Sequence, residues 1–87
     1  MPKYSVSLTK HAIKDLDSLP EQDGDRILSA IKRLEKSVAP DGKHIKKMQG
    51  YEELYRLRVG DYRAVFKFDG VVTVVRILTR QDFGKKY

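Results

Sequence analysis

The sequence predicts an α+β domain in which a helical hairpin packs on one face of a mainly antiparallel sheet. Two stretches with helical periodicity fill residues 10–38, and three strand-like runs follow between residues 53 and 80, separated by short turn signals. A single strand at residues 4–9 precedes the helices, so the element order is β-α-α-β-β-β. A chain of 87 residues holds one hydrophobic core, and we therefore expect a single domain over residues 1–87.

The first half of the chain carries the strand and the helical hairpin. Residues 4–9 alternate as YSVSLT, which indicates a strand, and Thr9 can cap the following helix through its hydroxyl. The first helix is predicted over residues 10–19, because Pro20 interrupts it. The second helix is predicted over residues 21–38, where an apolar stripe repeats at helical spacing. That stripe consists of Ile27, Ile31, Leu34 and Val38.

The second half contains a basic connector and the three strands. Residues 39–42 read APDG and predict a turn, whereas KHIKKMQG over residues 43–50 is a basic connector without a clear period. An Asp-Gly pair between the last two strands is a strong hairpin signal. Residues 81–87 are expected to form a short polar tail. The strands are predicted over residues 53–59, 62–68 and 71–80.

The net charge of +6 is confined to the second half of the chain. Residues 1–42 hold seven Lys or Arg and seven Asp or Glu, whereas residues 43–87 hold eleven against five. A one-sided positive field attracts polyanions and accelerates their encounter with the protein. Nucleic acid and an acidic protein are therefore the first candidate partners.

Composition also excludes several kinds of site. The chain has no cysteine, so disulfides and thiolate chemistry are excluded, and its two histidines lack the spacing of a zinc site. We therefore expect no metal and no other cofactor. The N-terminus contains no long apolar run, which predicts a cytoplasmic protein without a membrane span.

Strand alternation predicts that the cations of the sheet share one face. Side chains alternate across a strand, and the helices can cover only one side of the sheet. Arginine presents a planar fork of donors that matches phosphate, and neighbouring like charges repel one another. An open, concave basic surface of this kind therefore favours anion binding over mere solubility. Its expected members are Arg56, Arg58, Arg63, Lys67, Arg76 and Arg80.

The run LYRLRVGDYRAVFKFDGVVTVVRILTR resembles the RelE/ParE superfamily of toxins from toxin–antitoxin pairs. The resemblance extends to the opening YSVSLTKHAIKDLDSLP and to KHIKKMQGYEELYRLR, and it covers essentially the whole chain. The RelE branch implies a ribosome-dependent endoribonuclease that cleaves mRNA and inhibits translation. The ParE branch implies a DNA gyrase inhibitor that does not cut RNA. A weak relative that retains only antitoxin binding is a third possibility.

The resemblance to the RelE branch implies a set of site residues. Arg56 and Arg58 match the positions of two lysines that face the RNA, and Arg63 matches the arginine that contacts the scissile phosphate. Arg80 matches the arginine associated with the leaving group, and Tyr87 resembles a C-terminal tyrosine that stacks on the substrate base. Residues expected to bind RNA nearby are Lys43, His44, Lys46, Lys47, Lys67, Arg76, Phe83, Lys85 and Lys86.

The implied reaction is attack by a ribose 2′-hydroxyl on the adjacent phosphate, which gives a 2′,3′-cyclic phosphate and a free 5′-hydroxyl. It needs no metal, since the RNA supplies the nucleophile. Arginine is a poor base because it stays protonated far above neutral pH. The general base therefore stays open among His44, Lys46, Lys47 and Tyr87, and ribosomal RNA or water could also take the proton.

The resemblance also implies partners. A cognate antitoxin, acidic and partly disordered, would wrap the toxin and mask its basic face. The substrate would be mRNA in the ribosomal A site, so the ribosome itself is a partner. DNA would be contacted only through the antitoxin, and no membrane is involved.

Overall fold

The computed structural model describes residues 3–87 and confirms the predicted α+β class. The sheet has the strand order β1-β5-β4-β3-β2, in which β1 pairs with β5 in parallel and all other neighbours are antiparallel. The strands are β1 (Val6–Leu8), β2 (Ile45–Lys47), β3 (Leu54–Val59), β4 (Tyr62–Phe68) and β5 (Val72–Thr79). The helices are α1 (Lys10–Asp17), α2 (Glu21–Lys32) and α3 (Arg80–Lys86).

Helices α1 and α2 form the predicted hairpin and cover one face of the sheet. The Thr9 hydroxyl accepts the Ala12 amide at 3.1 Å and so caps α1, as the sequence predicts. The whole predicted stripe of the second helix is buried against Phe66 and its neighbours, including Val38. We call this side of the sheet the hairpin side.

The second helix is shorter than predicted. Helix α2 ends at Lys32, and Arg33–Glu35 tighten into a 3₁₀ turn, with the Lys36 amide donating to the Arg33 carbonyl at 3.1 Å. Such turns often end a helix, and Pro40 follows before another turn could form. Val38 nevertheless belongs to the buried core, in one cluster with Ile31 and Leu34.

Two segments predicted to be irregular are ordered elements. The connector contributes β2, whose Lys46 lies opposite Arg56 at the edge of the sheet. The expected polar tail is α3, so that prediction is wrong. The Thr79 hydroxyl accepts the Asp82 amide at 3.1 Å, which caps this helix, and Lys85 lies in its last turn, where a cation is favoured.

A β-bulge changes which side chains of β5 share a face. Val65 lies opposite Arg76, but Phe66 lies opposite Val74, which leaves Val75 without a partner in β4. Strict alternation predicts Val74 on the face of Arg76, and this is wrong. The extra residue reverses the alternation, so Val74 is fully buried on the hairpin side.

Helix α1 completes the edge of β5 where β1 ends. Strand β1 pairs only as far as Val74, so the backbone of the following residues needs another partner. The Asp15 carboxylate accepts the Ile77 amide at 2.9 Å and the Arg76 Nε at 2.8 Å. Both side chains of this ion pair are largely buried, and the pair fastens α1 to the sheet.

Candidate functional site

Two rows of side chains cross the sheet on the side away from the helical hairpin, which we call the cation side. The register between neighbouring strands defines both rows, because side chains directly opposite each other share a face. His44 joins the first row, since the Arg58 amide donates to its carbonyl oxygen at 2.7 Å. The first row is His44, Arg58, Arg63 and Leu78, and the second is Lys46, Arg56, Val65 and Arg76.

Arg63 lies at the centre of the first row and is held by the backbone. Its side chain is 9% exposed, and Nη1 donates to the carbonyl oxygens of Gly60 and Tyr62, each at 2.9 Å. The tight turn that offers these oxygens needs Gly60, whose φ of 56° is left-handed. The guanidinium is therefore fixed in orientation by the β3–β4 turn before any ligand binds.

Four arginines converge around this position. Burial lowers the pKa of the Arg63 guanidinium, and the nearby charges of Arg56, Arg58 and Arg80 lower it further, partly opposed by Asp61. Arg80 stands where β5 passes into α3, and its amide donates to the Asp61 carbonyl at 2.7 Å. The sequence-predicted arginines of the catalytic set thus share one electrostatic neighbourhood. We call Arg56, Arg58, Arg63 and Arg80 the arginine cluster.

The cation side is not the open surface that strand alternation predicts. Helix α3 packs against β4 and β5, and Val65 and Leu78 are buried although they point away from the hairpin. Aromatic rings continue this cover: Tyr87 lies 5.4 Å from Phe83 and 5.7 Å from Tyr51, measured between ring centroids. A short helix therefore covers part of the cation side beside the arginine cluster.

The turn predicted over residues 39–42 orders the basic connector through Asp41, which was not singled out from the sequence. Asp41 Oδ1 accepts the amides of Lys43, His44 and Ile45 at 2.9, 2.6 and 3.0 Å. The amide of Ile45, and then those of Lys43 and His44, hold the pKa of the Asp41 carboxyl far below its ordinary range. Asp41 Oδ2 also lies 3.5 Å from His44 Nδ1. The signal was an Asp-Gly turn, where an aspartate often accepts local amides.

Comparison with known proteins gives this architecture a family. A model described as the ParE toxin of type II toxin–antitoxin systems, parDE, matches residues 6–82. The chain belongs to this toxin family. It is 30% identical to a protein of Methanocaldococcus jannaschii named as a candidate RelE1 toxin, over 97% of each chain.

Solved structures of RelE/ParE toxins share the fold. A chain of the archaeal RelE–RelB complex from Pyrococcus horikoshii matches with a TM-score of 0.76 and 32% identity, over 90% of this chain and 96% of that one. A chain of the ParDE system of Pseudomonas aeruginosa matches with a TM-score of 0.70 over 88% and 96% of the two chains. At 17% identity, the second likeness concerns the fold alone.

Two cations of the toxin that were predicted to bind RNA form ion pairs with carboxylates. Arg76 is held by Asp15 at 2.8 Å, with its side chain mostly buried. Lys67 Nζ lies 3.5 Å from Glu53 and 3.7 Å from Asp69, in exposed pairs at the far end of β4. Their charges are therefore partly neutralised within the chain.

The other predicted RNA-binding residues fall into three places on the toxin. Lys43, His44 and Lys46 lie beside the arginine cluster, and the Lys43 carbonyl accepts Arg56 Nη1 at 3.5 Å. Lys47 lies opposite Tyr55 and so belongs to the hairpin side of the edge strand. The predicted residues of α3 and its end are Phe83, Lys85, Lys86 and Tyr87.

Two features are absent from residues 3–87. Within that range, no group of three or more His, Asp or Glu side chains is arranged to hold a metal ion. No helix of the described chain is long and apolar enough to cross a membrane.

Proposed function

We propose that this toxin is a ribosome-dependent endoribonuclease that cleaves mRNA in the A site and so inhibits translation in the cytoplasm. The observation that carries the proposal is the arginine cluster around the buried, backbone-anchored Arg63. Attack of a 2′-hydroxyl places extra negative charge on the phosphate. Guanidinium groups held ready for that charge stabilise the transition state without reorganising.

The geometry supports different roles for the members of the arginine cluster. Arg63 is the most rigid member, so we assign it the scissile phosphate. Arg56 and Arg58 flank it on the neighbouring strand and would bind the same or the next phosphate bidentately. Arg80 stands outside the row, at the start of α3, where it would stabilise the leaving 5′-oxygen.

The aromatic rings of α3 support a place for the substrate base. Phe83 and Tyr87 lie next to each other, and Tyr87 is 36% exposed. A base can stack on such a ring whatever its sequence, because every base has a π-face. Lys85 and Lys86 in the last turn would hold the neighbouring RNA backbone.

We also propose an acidic antitoxin as the partner of the cation side. The similar toxin chain from Pyrococcus horikoshii was solved in a RelE–RelB complex. In the present chain, the excess of positive charge lies entirely in residues 43–87, which include the arginine cluster. An acidic segment would be steered to that face and would mask it. Contact with DNA would run through the antitoxin alone.

Primer extension on a message in a reconstituted translation system tests the enzymatic proposal. Purified toxin is added with and without ribosomes, and its folding is checked by circular dichroism. We expect cuts within codons only when ribosomes are present. Intact message in the presence of ribosomes and folded toxin would contradict the proposal.

Inhibition of DNA gyrase by binding is the second candidate. It is favoured by the description of the matching family model as a ParE toxin. A supercoiling assay with the same protein separates the two functions. Inhibited supercoiling together with intact message would make the arginine cluster a binding surface.

A further inference from the structure

The proposed cleavage lacks a proton acceptor among the residues assigned so far. A general base must take the 2′-hydroxyl proton as the new bond to phosphorus forms. Arginine side chains stay protonated far above neutral pH, so the arginine cluster cannot supply this group. The acceptor has to come from a neighbouring side chain that is neutral at the pH of the cell.

We infer that His44, oriented by Asp41, is the general base of the reaction. The inference rests on the proposed endoribonuclease function and names a further residue of the same site. His44 lies in the first row of the cation side, directly opposite Arg58, which in turn lies opposite Arg63. Neighbouring strands are about 4.8 Å apart, so two strands separate the His44 and Arg63 backbones by roughly 10 Å. Long guanidinium side chains and a bound phosphate can span that distance.

The backbone of His44 is fixed on both sides. Its amide donates to Asp41 Oδ1 at 2.6 Å, and its carbonyl oxygen accepts the Arg58 amide at 2.7 Å. In a regular antiparallel ladder the His44 amide would donate to the Arg58 carbonyl. Asp41 therefore replaces one hydrogen bond of the sheet. The fold therefore fixes the backbone of His44 beside β3, whereas the imidazole itself is exposed.

Asp41 also selects the nitrogen that can accept the proton. Its Oδ2 lies 3.5 Å from Nδ1 of the ring, and a carboxylate at one ring nitrogen favours the tautomer with the proton there. Nε2 is then the free acceptor. The backbone amide of Ile45, with those of Lys43 and His44, keeps the pKa of the Asp41 carboxyl far below its ordinary range. Asp41 therefore stays anionic at neutral pH.

The other candidate bases are less well placed. Lys46 lies opposite Arg56, and a lysine ordinarily keeps its proton up to about pH 10.4. Lys47 lies opposite Tyr55, whose ring stacks on Phe66 on the hairpin side. The ring of Tyr87 packs against other aromatic rings at the end of α3.

Charged groups of three elements lie around His44. Its own loop contributes Asp41, whose Oδ2 lies 3.5 Å from Nδ1, and the preceding Lys43, and β3 contributes Arg58, whose amide donates to the His44 carbonyl. On the hairpin side, α2 and the 3₁₀ turn that follows it contribute further groups, because His44 and Arg58 also line a groove of ≈ 480 Å³ beside α2. These are Asp25, Arg26 and Arg33.

The proton balance of the step is complete. His44 Nε2 takes the 2′-hydroxyl proton while the 2′-oxygen bonds to phosphorus. The bond from phosphorus to the 5′-oxygen then breaks, and that oxygen takes a proton from solvent beside Arg80. The imidazolium returns its proton to solvent, so the toxin is regenerated without any oxidant or co-reactant.

Single-turnover cleavage on programmed ribosomes tests the role of His44. His44→Gln keeps a polar side chain, and we expect the cleavage rate to fall by roughly 10²–10⁴, as for other general bases. Ribosome binding, measured by co-sedimentation, should not change. His11→Gln is the matched control, because His11 is exposed on α1 and should leave the rate unaltered.

Two further measurements separate a chemical role from a structural one. The wild-type rate should rise with pH over the range in which an imidazole loses its proton, about pH 5.5 to 7.5, and this limb should vanish in His44→Gln. Added imidazole should partly rescue His44→Ala. As a positioning residue, Asp41 acts more weakly: Asp41→Asn should lower the rate severalfold, with the pH limb kept.

The outcomes distinguish the two proposals. If wild-type toxin cleaves on ribosomes and His44→Gln cleaves within threefold of it with the same pH limb, the role of His44 is wrong while the function stands. If folded wild-type toxin does not cleave, the proposed function is wrong and His44 loses its role with it.

Discussion

The hairpin side and the cation side of the sheet use the same three strands in opposite ways. On the hairpin side, side chains such as Leu57, Phe66 and Val74 are buried against α1 and α2, and their contribution is area removed from water. On the cation side, Arg58 and Arg63 lie directly opposite each other, an arrangement that costs stability. The comparison shows that one face stabilises the domain and the other uses part of that stability to hold charges together.

Removing a large side chain from the hairpin side should have the largest effect on folding. Phe66 is fully buried, so Phe66→Ala loses its burial and leaves a cavity. We expect the free energy of unfolding to fall by about 3–5 kcal/mol, measured by urea denaturation. Val71→Ala, at a side chain that is 48% exposed, is the matched control and should change little. A small loss in Phe66→Ala would contradict the assignment of the core.

Removing a cation from the other side should affect activity and leave stability nearly intact. Arg80→Ala should lower ribosomal cleavage by roughly 10²–10³, as does loss of a single group that stabilises transition-state charge. The unfolding free energy should change by no more than about 0.5 kcal/mol, because Arg80 is exposed. Lys36→Ala, an exposed cation after α2, serves as the control for charge. Equal loss of cleavage in both variants would indicate a general electrostatic effect.

Arg76 lies on the cation side but belongs energetically to the stabilising part of the molecule. Asp15→Ala leaves the Ile77 amide and the Arg76 guanidinium without their shared acceptor. We expect a loss of roughly 1–3 kcal/mol in the free energy of unfolding, measured by urea denaturation. Cleavage at a temperature where the variant is folded should be unchanged. A large loss of cleavage there would show that the pair also serves the site.

The smallest effect concerns the turn that orders the basic connector. Folding lowers the pKa of Asp41, so its carboxylate contributes stability above its unfolded pKa of about 3.9, and that contribution is lost as pH falls toward the lower folded value. In amide NMR spectra, the Lys43, His44 and Ile45 signals should stay constant well below pH 4 and shift only in stronger acid. A shift centred near pH 4 would mean that the turn is not formed in solution.

The hairpin side could be predicted from sequence because it depends on repeated spacing. The stripe from Ile27 to Val38 follows the helical period, and its burial was predicted even though α2 itself ends at Lys32. In β3 and β4, Leu57 and Phe66 follow strict alternation. Periodicity therefore identified the helix packing surface without knowledge of where the elements end.

The cation side depends on local features that spacing does not contain. In the run VVTVVRIL every position suits a strand, so nothing marks Val75 as an extra residue. Strand β2 is only three residues long and exists because β3 offers it an edge. For α3 a signal was present, since Thr79 and Asp82 have capping-box spacing, but a glycine and a polar composition obscured it. The arginines were found, whereas the helix beside them was missed.

The bulge at Val75 also has a consequence for how β5 can evolve. Before it, Val72 and Val74 are buried on the hairpin side. After it, Arg76 and Leu78 lie on the cation side, and Ile77 is buried on the hairpin side. The alternation of side chains along β5 therefore has one phase before Val75 and the opposite phase after it. Deletion of Val75 would restore one uninterrupted alternation, and either Val74 or Arg76 would then point to the wrong side of the sheet. The geometry of β5 consequently depends more on the number of residues at this position than on the identity of the residue that occupies it.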